Sequence, residues 1–588
     1  MIRRMTRTAL AVAALALSCT HARNAPPAEA AAKEATPANA WIARSNANAQ
    51  LLLDVQARFE PEGAARLGIA GLDEHITDLT PGHRERLRVA VRAVLATLAE
   101  RARSERDPLV AQDLAILSRA GEREVRGSEL SERYEVPYLH VGRFIFGSVR
   151  SLLDPQIDKS RYPAAVVRLR KYVGAEPGTT PLATLAENEM KAALANPALS
   201  PPSRIDVENE LQTSKITAEG IEGLFRQFKL EGADQPLALL REQLSAHDRF
   251  LRDEVLPKAR SDFRLPKPIY AFALERVGVD IPPEELTALA HQAFSELQGE
   301  MQKVAAVIAR ERHLPSADYR DVIKELKKEQ IPESELLAHY QARLKDLERI
   351  IAEHDLVTLP SRPARIRLGT PSENAQQPAP HMNPPRLIGN TGEEGEFVLP
   401  LSVPGAVVQK YDDFSFSAAS WTLTAHEARP GHELQFATMI EKGVSIARAT
   451  FAFNSVNVEG WGLYAEAISL PYMPPEGQLI SLQLRLQRAA RAFVDPELQL
   501  GKWTPESARA FLQREVGLSP AFATSEVDRY TFRSPAQATA YFYGYTKLLA
   551  LRKEAEARPG FNAHAFHDLI LAQGLLPPDL LRKAVLQP

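Results

Sequence analysis

Along most of the chain, apolar positions recur three or four apart. The runs "GHRERLRVAVRAVLATLAERARSERD" (82–107), "PPEELTALAHQAFSELQGEMQKVAAVIARERH" (282–313) and "IPESELLAHYQARLKDLERIIAEHD" (331–355) are the clearest. That spacing lines one face of a 3.6-residue helix. The second run opens with Pro282, Pro283, Glu284 and Glu285, residue types suited to a helix N-terminus. Along it Leu286, Leu289, Ala293, Leu297, Met301, Val304 and Ile308 are expected to share one buried face. Between about residues 41 and 260 similar patterns alternate with short polar or proline breaks. The expected class is mainly α, a multi-helix protein.

The pattern changes between residues 356 and 410, which are rich in Pro, Gly and Asn. Two short β-like pieces stand out there, "ARIRL" (364–368) and "EFVLPL" (396–401). They predict a short β-ribbon, too small for a large sheet, with Pro400 suited to an edge strand. Helical patterning then resumes to the C-terminus.

Length and composition add modest constraints. With 588 residues the chain can build two or three lobes. The division read here is a helical lobe over 41–270 and a second helical lobe, carrying the chemistry, over 271–588. A net charge of −3 gives no reason to expect nucleic acid as a partner. The first residues read as a targeting segment. Arg3, Arg4 and Arg7 precede the apolar "ALAVAALALS" (9–18), too short to span a bilayer. Cys19 follows, the only cysteine in the chain, and rules out an internal disulfide. "ALSC" resembles a bacterial lipoprotein processing site, although Ala16 stands where Leu is usual. The expectation is a signal peptide over 1–19, a lipid on Cys19 and an Ala/Pro-rich tether over 20–40. The protein would then be exported, to the periplasm or the outer membrane, touching a membrane only through that anchor.

The candidate chemistry begins at "TAHEARPGHELQ" (424–435). A helical H-E-x-x-H places two imidazoles one turn apart, within reach of one zinc ion. Here His426 and Glu427 are present, but the next histidine, His432, is six positions on. On a straight helix the two would stand roughly 240° apart. Pro430 and Gly431 lie between them and could break the helix and re-aim His432. Glu433, seven after His426, would return to the same face of an unbroken helix and is the rival ligand. In "NVEGWGLYAE" (457–466), Glu459 and Glu466 are seven apart and share a face. Gly460 and Gly462 are costly in a helix and suggest close approach of another backbone. Glu459 lies 27 residues after His432, room for one helix to end and the next to come alongside.

Together, H-E-x-x-P-G-H-x-x-Q and E-G-W-x-L-Y-A-E resemble the bacterial family catalogued as domain of unknown function 885. "EVDRYTFRSPAQATAYFYG" (526–544) is similar to a third block of that family. Ala536 stands where the family has glycine, and Gly462 where it usually has alanine. The family looks like a branch of the zincin metallopeptidases with a glutamate third ligand. The resemblance implies a zincin-like fold with a long cleft and the β-ribbon near the active site. It implies one Zn2+ per chain, held by His426, His432 and Glu459, with Glu427 as general base. Tyr541, with Tyr545 as substitute, would donate to the oxyanion, and Arg529 would hold a substrate carboxylate. Glu466 would orient a ligand histidine. The "EFVLPL" strand could pair with an extended peptide substrate. The expected function is thus an exported zinc peptidase. Two alternatives are a non-catalytic, lipid-anchored peptide-binding scaffold and a metal-dependent hydrolase of non-peptide amides. Glu427 favours an enzyme, since a binder needs no base beside a metal.

Overall fold

Helices form where the periodicity places them. His83–Ser104, Pro283–Glu311 and Glu333–Glu353 match the three runs to within a few residues. The computed structural model describes residues 40–401 and 412–587. Cys19, the leader before it and the tether after it, Ala40 excepted, lie outside these residues. The expected stripe on Pro283–Glu311 is correct at Leu286, Leu297, Met301 and Ile308, all buried. Elsewhere it is one position out: Ala290, Phe294 and Ala305 take the core, and Leu289 is 41% exposed. The face follows 4-4-3 spacing from Leu286, which the apolar residues alone did not distinguish from 3-4-4.

That face packs along the helix Pro475–Gln499, the most buried long helix of the described chain. A separate apolar cluster joins the first helices, Ala40–Phe59, His83–Ser104 and Pro108–Tyr134, to the last two, Ala563–Ala572 and Pro578–Leu586. From Trp41 the chain thereby closes into one compact unit. Among the described residues no helix is long and apolar enough to cross a membrane.

Both β-like pieces are strands, β1 (Arg365–Leu368) and β3 (Glu396–Leu399), joined by a third, β2 (His381–Asn383). The order is β1-β3-β2, with β1 parallel and β2 antiparallel to β3. The edge-strand expectation for "EFVLPL" is therefore overturned. β3 is the middle strand and wholly buried. Pro400 lies one residue past its last paired position, where a missing N–H ends the ladder. With both of its sides occupied, β3 cannot take up a peptide. The outer strands β1 and β2 each keep one side unpaired instead. The three residues of β2 before Pro384 and Pro385 are too few to show a strand pattern.

Two buried positions on the central helix and its neighbour explain local features. Ala536 has φ 73°, in the left-handed region that costs a non-glycine residue about 1–2 kcal/mol. This is the position where the family motif has glycine. Ala536→Gly should therefore stabilise the fold by roughly 0.5–1 kcal/mol, net of glycine's looser unfolded chain. Chemical denaturation measures this directly, and no gain would mean the left-handed backbone carries no penalty here.

The Ala536 N–H donates to Asp495 at 2.9 and 3.1 Å, and Tyr270 donates to the same carboxylate at 2.9 Å. Burial pushes the Asp495 carboxyl up to about 7, against these two hydrogen bonds. The folded protein thus keeps a proton up to pH 7 that the unfolded chain releases near pH 4. Between those values the folded state binds more protons, so its stability falls as pH rises. Asp495→Asn should remove this slope. Its stability relative to wild type should climb by an amount on the order of a few kcal/mol from pH 4 to 7. Parallel profiles for the two proteins would contradict it.

Candidate metal centre

The question posed by the six-residue histidine spacing has a plain answer: the helix ends between them. His426 lies in the last turn of the helix Ser417–Glu427, and His432 is the first residue of the helix His432–Lys442. The four residues between form a tight turn containing a cis Arg429–Pro430 peptide. Gly431 is required there, because a Cβ would fall 1.9 Å from the His426 carbonyl oxygen. The turn is fastened from three sides. The Trp461 indole donates to the Pro430 carbonyl at 3.0 Å. Arg429 donates to Glu433 at 2.6 Å, to Glu348 at 2.7 Å and to the Arg362 carbonyl at 2.5 Å. The result brings the two imidazoles to 4.6 Å between centroids, at 80°.

Glu459 completes the group from the helix Ser455–Ser469. Its Oε2 stands 3.5 Å from His426 Nε2 and 3.3 Å from His432 Nε2. A tetrahedral zinc with 2.0–2.1 Å bonds separates its ligand atoms by about 3.3 Å. Among the described residues this is the one group of three or more His, Cys, Asp or Glu side chains close enough to hold a metal. Glu459 Oε2 is buried without a hydrogen-bond partner, which a bound cation would satisfy. The donor set of two imidazoles and a carboxylate, with room for one more ligand, fits a catalytic divalent cation such as zinc. Glu433 is not positioned to compete, since its carboxylate is held by Arg429.

Glu466, on the helix face it shares with Glu459, stands behind the first histidine. Its Oε1 accepts from His426 Nδ1 at 2.7 Å, and its Oε2 accepts from Thr422 at 2.6 Å. A carboxylate can only accept, so Nδ1 carries hydrogen and Nε2 is turned toward Glu459. Burial works against charge on His426, but the Glu459 and Glu466 carboxylates outweigh it and raise its pKa to about 9. The same histidines hold Glu459 well below the usual carboxylate range, despite its burial.

Space around His426 is tight in a way the sequence half reveals. A Cβ on Gly460 would meet the Gly544 backbone at 2.6 Å, the close helix approach expected of it. Gly462 differs. A Cβ there would meet the His426 ring at 2.6 Å, so this glycine makes room for an imidazole and not a backbone.

The cluster opens into a cavity of about 500 Å³, lined also by Glu427, Tyr541 and Arg529. The Glu427 carboxylate has no hydrogen bond or ion pair among the described residues. Tyr541 stacks over His426 at 6.1 Å and 17°, and its hydroxyl accepts from Arg529 at 3.1 Å. That leaves the hydroxyl hydrogen free to donate. Tyr545 does not reach this cavity. One helical turn carries it about 6 Å along the axis, where it lies 5.1 Å from the Arg485 guanidinium. Sequence reasoning missed Gln537, which reaches Glu459 Oε1 at 3.4 Å. It lies inside the third motif block, which is the signal that could have found it. Arg488 and Arg491, which also line the cavity, sit in a helix whose sequence shows only an ordinary charged pattern.

The chain belongs to the family described as "Bacterial protein of unknown function (DUF885)", whose profile matches residues 61–585. Its fold is shared with a protein from Colwellia psychrerythraea, provisionally described as a lipoprotein. That match has 19% identity and a TM-score of 0.76 over 92% of this chain and 99% of the other. A second, from Shewanella oneidensis, is provisionally described as a lipoprotein of unknown function. It matches at 18% identity and TM-score 0.70 over 93% and 100% of the two chains. No protein of curated function matches.

Proposed function

We propose that this protein is a metal-dependent peptidase of zincin type, using one zinc ion per chain. The observation that carries the reading is the cluster of His426 Nε2, His432 Nε2 and Glu459 Oε2 at zinc-ligand spacing, next to an unpaired Glu427. A zinc ion held there would supply a water that loses its proton near neutral pH and would polarise a carbonyl. Glu427 takes that proton on its carboxylate and returns it to the leaving amine. Tyr541 donates its hydroxyl hydrogen to the developing oxyanion. Glu466 and Thr422 keep His426 aimed.

A peptide is the substrate class the cavities favour. A second cavity of about 780 Å³ shares Phe453, Arg533, Ser534 and Gln537 with the first, so the two meet as a longer channel. β2, with its unpaired side, contributes His381 and Met382 to the wall. An extended chain could lie there by strand addition. The test is a mixed peptide library incubated with the zinc-loaded protein and read by mass spectrometry. Backbone cleavage that a chelator stops is expected. Binding of zinc and peptides with no cleavage would transfer the reading to a non-catalytic peptide-binding protein.

We infer further that the protein is exported and lipid-anchored at Cys19. The "ALSC" sequence supports this, as do the descriptions of the two structural neighbours. Cys19→Ser should move the protein out of the membrane fraction. Unchanged partitioning would leave ordinary secretion.

A further inference from the structure

The cavity beside the candidate metal ligands is unusually basic. Arg143, Arg488, Arg491, Arg529 and Arg533 all line the cavity. Three carboxylates face them, and two of these are already engaged. Glu459 belongs to the histidines. Glu526 is taken by Arg491, at 2.5 and 2.8 Å, and by Tyr530 at 2.7 Å. Only Glu427 remains, and it is the proposed base.

Arg491 is paired with Glu526 and Arg488 Nη1 donates to the Leu484 carbonyl, yet single nitrogens of these guanidinium groups are left over. Arg488 Nε, Arg491 Nη1 and Arg533 Nε are buried with no hydrogen bond. The Arg488 and Arg491 side chains are only 8% and 5% exposed. The nearest carboxylates of Arg488 and Arg533 are distant, Glu466 at 3.9 Å and Asp528 at 3.7 Å. Arg143, half-buried on the helix Val141–Arg150, has no ion pair among the described residues, and feels the like charge of Arg533 as well as the more remote carboxylates of Asp206 and Glu210. Charged donors left unpaired in a buried cavity destabilise the fold, so their concentration in one place needs a ligand to account for it. Guanidinium forks match planar carboxylates.

The position of this wall fixes where the anion lies on the substrate. Arg529 donates to the Tyr541 hydroxyl, and its guanidinium carbon lies 5.2 Å from the Tyr541 ring centre. The same ring lies 6.1 Å from the His426 ring. One tyrosine therefore separates the anion-binding groups from the metal ligands. An extended residue spans at most about 3.5 Å. A group held by Arg529 thus sits one to three residues from the bond over the metal cluster.

We propose that these arginines form the specificity site, and that the substrates are peptides bearing a carboxylate one to three residues from the scissile bond. This rests on the peptidase reading above and narrows it. The carboxylate is either the C-terminal one, making the enzyme a remover of short C-terminal fragments, or that of an Asp or Glu side chain.

Three eight-residue peptides of otherwise identical sequence separate these cases: a free acid, its C-terminal amide, and the amide with an Asp next to the C-terminus. Hydrolysis is measured with the zinc-loaded protein, and binding by calorimetry with its Glu427→Gln form. The free acid should exceed the amide by roughly 10- to 100-fold in both, the worth of a charge-assisted contact. Recovery in the Asp-bearing amide assigns the site to a side-chain carboxylate, and no recovery assigns it to the C-terminus. Arg529→Gln and Arg143→Gln should each shrink the ratio of free acid to amide, in hydrolysis and in binding. Arg143→Gln removes an unpaired charge and so serves where Arg529→Gln fails to fold. Equal handling of all three peptides by wild type overturns the proposal, as does a preference that survives both substitutions. If no peptide is cut but the binding preference remains, the peptidase reading falls and the carboxylate site stands.

Discussion

Glu427→Gln should leave zinc content and melting temperature near those of wild type while lowering peptide hydrolysis by roughly 10²–10⁴-fold, the usual worth of a positioned general base. The structural ground is unusual for a buried carboxylate. Glu427 is 8% exposed, yet it has no ion pair or hydrogen bond among the described residues, and it lines the cavity beside both histidines. Removing its charge therefore breaks no structural contact. Burying a lone carboxylate costs stability, so the amide should be neutral or slightly stabilising. Hydrolysis at the wild-type rate would remove Glu427 from the mechanism.

Alanine at His426, His432 or Glu459 should strip the bound zinc, from about one per chain to near none, because a three-ligand site seldom survives on two. The contrast is with Glu433→Ala. Glu433 is held by Arg429 at 2.6 Å, and Arg429 keeps Glu348 at 2.7 Å when it is lost. This variant should lose some stability but keep its metal. Elemental analysis of the four proteins decides the matter. Zinc retained in His432→Ala and lost in Glu433→Ala would mean that the turn at Pro430 does not deliver His432 to the site.

Much of the site was legible in the sequence because its residues fall at helical spacings or next to a strong helix breaker. Glu459 and Glu466, seven apart, had to share a face. Pro430 and Gly431 announced the break that lets His426 and His432 converge. The sequence was silent where the decisive contact is between distant segments. Nothing near Arg488 or Arg491 indicates that their helix lines the same cavity as His426, His432 and Glu459, so a buried basic wall reads as a solvated face. The carboxylate role proposed for Arg529 from its motif becomes, in the fold, one part of that wall. Gly462 was read as a backbone contact because a glycine in a helix does not reveal what occupies the space it leaves. The middle position of β3 was hidden because its second partner, β2, is only three residues long.

The central claim is that one metal ion at His426, His432 and Glu459 makes this protein a peptidase. It is tested most directly by titrating the metal-free protein with zinc while following cleavage of a peptide bearing a free C-terminal carboxylate. The account predicts that cleavage is absent without zinc, rises in proportion to added metal and levels off at about one equivalent per chain. Cleavage that is independent of zinc, or a fully loaded protein that cuts no peptide, would contradict it.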